Sequence, residues 1–184
     1  VLPKMIVVGI LNTDRTRDLT PTHVSFDPSV PDSGYVRTSG GAGRFTEFLQ
    51  NELIPYIDST YNTTPFRVLA GHSLGGLYCI NTLLRNSELF RGYIAIDPTL
   101  SWDNKKLLLE SRCIIKGKDL SGRWLYMAIA NQGYSDTEIR KDNSAAFEFS
   151  AMLDSIDGNG LDFRWHYYQD DNHGSVPLIS EYDG

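Results

Sequence analysis

The sequence predicts an α/β protein in which a mostly parallel sheet carries helices on both faces. Three observations support this. Short apolar, strand-like runs alternate with stretches of helical apolar spacing from residue 5 to residue 168. One of these runs, Phe66-Arg-Val-Leu-Ala-Gly-His-Ser-Leu-Gly-Gly76, enters a glycine-rich turn and leaves it as a helix. The totals are those of a globular chain with one core: 184 residues, 41% hydrophobic and 22% charged, read as a single domain over 1–184.

Met5-Ile-Val-Val-Gly-Ile10 is the first strand expected, a β-branched run of the kind buried on both faces of a parallel sheet. Leu11 to Gly41 has no clear period and contains Pro21, Pro28 and Pro31, so a loop over the active-site edge is expected. Phe45, Phe48, Leu49, Leu53 and Ile54 predict a helix from Phe45 to Tyr61, kinked at Pro55. Phe66–Ala70 is the second strand, and Leu74 to about Asn86 the helix after it. Tyr93–Ile96, Trp124–Ala130 and Leu161–Tyr168 are the remaining strands, with helices at Asn104–Ile115 and Ser144–Ile156 between them. A further element is expected to begin within Gly174–Gly184. In a parallel sheet all strand C-termini meet at one edge, where ligands bind.

The turn Gly71-His-Ser-Leu-Gly75 matches G-x-S-x-G in the strand–turn–helix setting that gives the pattern its chemical meaning. Glycines there let strand and helix approach closely, and the serine is lifted above the sheet edge at a helix N-terminus. Ser73 is therefore the candidate nucleophile. The backbone N–H of Leu74 is the candidate oxyanion donor, aided by the helix dipole.

A serine hydroxyl needs a base. Of the four histidines, His72 adjoins the serine and cannot fold back onto it, so it is assigned to the pocket lining. His166 lies on one face of a strand and reads as structural, while His23 lies in the long loop. His173 follows the last strand and reaches the same edge as Ser73, which makes it the candidate base. The base needs an acid. Asp136, after the Trp124–Ala130 strand, is the first choice. Glu138 and Asp142 compete with it, and Asp97, at the end of the preceding strand, is the alternative. Asp170 and Asp171 are too close to His173 to orient it and read as loop caps. Trp102 and Tyr134 complete the candidate substrate-binding residues.

Other chemistries lack their signatures. A net charge of −6 and no Lys/Arg cluster argue against a nucleic-acid partner. No apolar run approaches the roughly 18 residues of a membrane span. No metal-ligand spacing and no phosphate-cradling loop occur, so no metal or cofactor is expected. Gly40-Gly-Ala-Gly43 reads as a flexible helix entry. Cys79 and Cys113 are expected to be free. The expected partner is a small-molecule ester, and oligomeric state and compartment stay open. No signal peptide is seen, but the chain starts at Val1 without methionine, which leaves room for a removed upstream segment.

Together these segments resemble the esterase D / enterochelin esterase-like branch of the α/β-hydrolases. The resemblance rests on Gly71-His-Ser-Leu-Gly-Gly76, Phe90-Arg-Gly-Tyr-Ile-Ala-Ile-Asp-Pro-Thr-Leu-Ser-Trp102, Gln132-Gly-Tyr-Ser-Asp136, Asn172-His-Gly-Ser-Val-Pro177 and Val7–Asp18. Asp97 stands where the branch has a serine, and Ser101 where it has a tryptophan. The resemblance implies an α/β-hydrolase fold and a serine esterase working through Ser73, His173 and Asp136. It also implies a chain lacking the first strands and the tail, with the second oxyanion donor upstream of Val1. Acyl transfer, thioester hydrolysis, or a non-catalytic binding module on the same fold are the alternatives.

Overall fold

The structure, a computed structural model, describes residues 4–25, 33–131, 144–156 and 158–184. Its sheet has four strands: β1 (Val68–His72), β2 (Gly92–Ile96), β3 (Trp124–Ala130) and β4 (Asp162–Tyr168). They pair in chain order, all parallel, so each connection is a crossover and all C-termini share an edge.

Side-chain alternation divides the strands between two cores. Tyr93, Ala95, Leu125, Met127 and Ile129 face the larger one. It is completed by α5 (Leu74–Arg85), α6 (Trp102–Ile115) and α7 (Ser144–Asp154), which supply Leu77, Ile80, Leu84, Leu108 and Phe149. Ile94, Ile96, Ala128, Ala130 and Tyr168 face the other side and meet Val176 of α8 (Val176–Asp183). Helices thus lie on both faces, as expected. Leu77 is fully buried, and truncating such a side chain to alanine costs about 2–5 kcal/mol.

Three expectations need correction. Met5–Ile10 forms no strand, and Val7 and Leu11 stand 82% and 96% exposed. A strand exists only through a ladder partner, and β1 pairs with β2 alone among the described residues. The 11–41 segment is not all loop. It holds α1 (Arg15–Leu19), capped by the Asp14 carboxylate accepting from the Arg17 N–H at 2.9 Å, and α2 (Ser33–Val36). The Gly40–Gly41 step is a close contact rather than a flexible entry. A Cβ at Gly41 would come within 2.9 Å of the Arg17 carbonyl, and Gly40 has φ +96°.

The helix expected over 45–61 is present as α3 (Ala42–Phe48), a π-helical turn (Leu49–Leu53) and α4 (Ile54–Thr60). The wide turn comes just before Pro55, whose ring and missing N–H disturb the ordinary ladder. Cys79 and Cys113 are free as expected, and burial pushes the Cys79 thiol well above its usual range.

Candidate active site

Ser73 follows β1 directly and has φ 61° and ψ −117°, a conformation that L residues avoid. Neighbouring backbone fixes it there. The Ser73 N–H donates to Ile96 O at 2.9 Å, and its carbonyl accepts from Leu77 at 3.0 Å and Thr99 at 3.2 Å. Glycine is required on both flanks of this turn. A Cβ at Gly71 would meet the Gly75 carbonyl at 2.5 Å, and one at Gly76 would meet Ile96 O at 2.9 Å. Although Ser73 is the N-cap of α5, its side chain makes no capping bond, and its Oγ lies 3.3 Å from Thr99 Oγ1. Leu74 opens the helix, in the turn whose N–H groups have no intrahelical acceptor.

Asp97 follows β2 at the same edge, also at positive φ (40°), and is buried. Its Oδ1 accepts the Ala130 N–H at 3.0 Å, and its own N–H donates to Ala128 O at 2.8 Å. Its Oδ2 meets His173 Nδ1 at 2.5 Å. A neutral His173 bonded in this way carries its proton on Nδ1, leaving Nε2 to accept another.

His173 is held by a side-chain-closed turn after β4. Asn172 Oδ1 accepts from the Gly174 and Ser175 N–H groups at 2.8 and 3.2 Å, and the Ser175 hydroxyl donates to Asp171 at 2.8 Å. The Asn131 N–H ties the turn to β3 through Asp171 O at 2.8 Å. Asp171 therefore closes the loop, as expected.

Among the candidate acids, Asp97 is the one that meets His173 within the described residues. Asp136, Glu138, Asp142 and Tyr134 lie outside them. Trp102 is buried and donates its indole N–H to Thr22 O at 3.2 Å, so it binds the 11–25 segment to the sheet edge. The His72 ring lies against that of His173, with centroids 4.2 Å apart. His23 Nδ1 contacts Ser39 O at 3.2 Å, and His166 is exposed on β4 beside Tyr168. Sequence reasoning missed two contacts of the turn, Thr99 and Arg15, whose guanidinium donates to His72 O at 3.0 Å. No periodicity marks either residue. Among the described residues no His, Cys, Asp and Glu group is arranged to hold a metal ion. No described helix is long and apolar enough to cross a membrane. A cavity of about 910 Å³ lined by Ile10, Asn12, Arg17, Arg44 and Phe48 lies apart from Ser73 and His173.

The model of the Esterase family matches residues 2–149, which include Ser73 and Asp97. The chain belongs to the Esterase family. Among its Esterase-like relatives is the ferri-bacillibactin esterase BesA of Bacillus subtilis, 36% identical over 180 residues, or 93% of this chain and 62% of the relative. Another is a siderophore enterobactin esterase of Emericella nidulans, 31% identical over 120 residues, covering 62% of this chain and 40% of the relative. A crystal structure of an IroE-like serine hydrolase from Shewanella oneidensis superposes with a TM-score of 0.85 at 35% identity. That match covers 94% of this chain and 56% of the hydrolase. This Esterase-family chain therefore has the α/β-hydrolase fold and spans under two thirds of the length of these relatives.

Proposed function

We propose that the chain is a serine hydrolase that cleaves carboxylic esters, with Ser73 as nucleophile, His173 as base and Asp97 as the acid that orients it. The observation that carries this reading is the 2.5 Å contact of His173 Nδ1 with buried Asp97. It occurs at the strand edge that also presents Ser73 in a strained turn.

Ser73 Oγ attacks the ester carbonyl carbon while His173 Nε2 takes the hydroxyl proton. Charge collects on the carbonyl oxygen and is met by the Leu74 N–H at the helix N-terminus. The tetrahedral species collapses, and the leaving alkoxide departs as the alcohol, taking its proton from His173. Water, deprotonated by His173, then attacks the acyl-serine, and collapse releases the acid while Ser73 takes the proton back from His173. Asp97 keeps the Nδ1 proton in place and stabilises the transient imidazolium. The names of the relatives support a siderophore ester as the substrate class.

Intact mass after treatment with a fluorophosphonate tests the reading. One adduct is expected on the wild type, none on Ser73→Ala, and a strongly reduced amount on His173→Ala. A folded wild type that takes no adduct would replace the hydrolase reading with a non-catalytic binding module.

A further inference from the structure

His72 is the last residue of β1 and pairs in register with Ile96. Alternation puts its side chain on the sheet face of Ile96, Ala130 and Val176, the face covered by α8. The His173 turn leads directly into α8, so the two imidazoles meet. Their ring centroids are 4.2 Å apart and their planes tilted by 43°. The His72 Nε2 is buried and has no hydrogen-bond partner among the described residues.

These facts have a chemical consequence. The bond to Asp97 holds one edge of the His173 ring. With 42% of the His173 side chain exposed, packing around it among the described residues is incomplete. The His72 ring, tilted by 43° against it, supplies part of that packing.

We propose that His72 is a positioning residue: its uncharged ring is the packing platform that holds the His173 base in line between Asp97 and Ser73. The inference rests on the hydrolase reading above. The platform must be uncharged, since His173 becomes an imidazolium in each half-reaction and a second imidazolium 4.2 Å away would oppose it. A neutral aromatic face attracts that cation instead. The surroundings favour the neutral form. Burial holds the His72 imidazole below its ordinary pKa, as do the nearby charges of His173 and Arg15, with Asp97 and a hydrogen bond to the His173 backbone acting the other way. The unpartnered Nε2 fits the same picture, because a protonated Nε2 would be a buried cationic N–H with no acceptor.

The test compares the wild type, His72→Ala and His72→Phe for hydrolysis of a 4-nitrophenyl ester and for the second-order rate of fluorophosphonate labelling. Removal of the platform in His72→Ala is expected to lower kcat and the labelling rate together by about 10- to 100-fold, with KM changed less than threefold. Phenylalanine, flat and without charge, is expected to recover most of the loss. Thermal unfolding separates this from damage to the fold, because a structural defect would not be rescued in kcat alone. A folded His72→Ala with wild-type kcat overturns the inference, as does a variant that changes KM alone, which would make His72 a substrate contact. If His72→Ala does not fold, a His72→Phe that folds but keeps under a tenth of wild-type kcat overturns it equally. A wild type that takes no label removes the hydrolase reading itself, and the inference with it.

Discussion

Among the described residues, the Asp97 carboxylate meets the Ala130 N–H through Oδ1 and His173 through Oδ2. In Asp97→Asn the amide oxygen can still accept from Ala130. The amide nitrogen then faces His173 Nδ1 as a donor, which forces the imidazole proton onto Nε2 and removes the base. A kcat loss of about 10³–10⁴-fold with near-wild-type thermal stability is expected, measured on a 4-nitrophenyl ester. A loss under tenfold, alongside a larger one in Asp136→Asn, would move the acid role to Asp136. Much of this site was legible in the sequence, for physical reasons. Ser73 announces itself because its turn admits only glycine where helix and strand approach most closely. The candidate base His173 follows from topology, since a residue just past a parallel strand must lie at the sheet edge where ligands bind. The proposed acid was less legible, because β2 and β3 both end at that edge and each is followed in sequence by an aspartate. Spacing does not show that the Asp97 carboxylate turns toward His173. That depends on the positive φ of Asp97 and the Ala130 N–H, both tertiary features.

At the scale of elements, the two motif glycines serve unequal purposes. A Cβ at Gly71 would strike backbone at 2.5 Å, whereas at Gly75 nothing lies within 4 Å. Gly71→Ala is therefore expected to cost about 1–3 kcal/mol, like other overpacked sites. Gly75→Ala, inside α5, is expected to leave stability unchanged or raise it by up to about 1 kcal/mol. Denaturant unfolding of both variants checks the contrast, and equal losses would contradict it. A second device ties α8 to the sheet. The Tyr126 and Tyr168 hydroxyls lie 2.5 Å apart, and Tyr168 donates to Asp183 at 2.7 Å. Tyr168→Phe breaks both links and is expected to cost about 1–3 kcal/mol, with Asp183→Asn non-additive on top of it in a double-mutant cycle. The strands from β1 to β4 were readable because buried parallel strands are apolar runs that helices separate. Met5–Ile10 has the same composition but no ladder partner among the described residues, and composition alone does not supply one.

For the molecule as a whole, stability against acid is expected to decline in two stages that begin at different pH. The first comes from His72, whose folded-state pKa is lowered by burial and by the charges of His173 and Arg15. The unfolded chain binds this proton near the ordinary value of 6.5, and the folded chain resists it. The unfolded state therefore gains protons first. Stability is complete above that value and falls as pH drops from about 6.5 to the lowered folded value, below which this loss is constant. The second step comes from carboxylates held low, Asp14 by the Arg17 N–H and Asp58 and Asp119 by the hydroxyls of Thr63 and Ser121. Their contribution is present above the ordinary 3.8 and is lost as pH falls below it. As pH falls the chain also crosses its isoelectric point near 5.1, where its charge of −6 at neutral pH has been titrated away and unfolded chains associate. Unfolding should therefore be followed by circular dichroism in dilute protein from pH 8 to pH 3. His72→Phe should remove the first decline and leave the second intact. A first decline that persists in this variant would show that another group takes up the proton and that His72 does not resist charging.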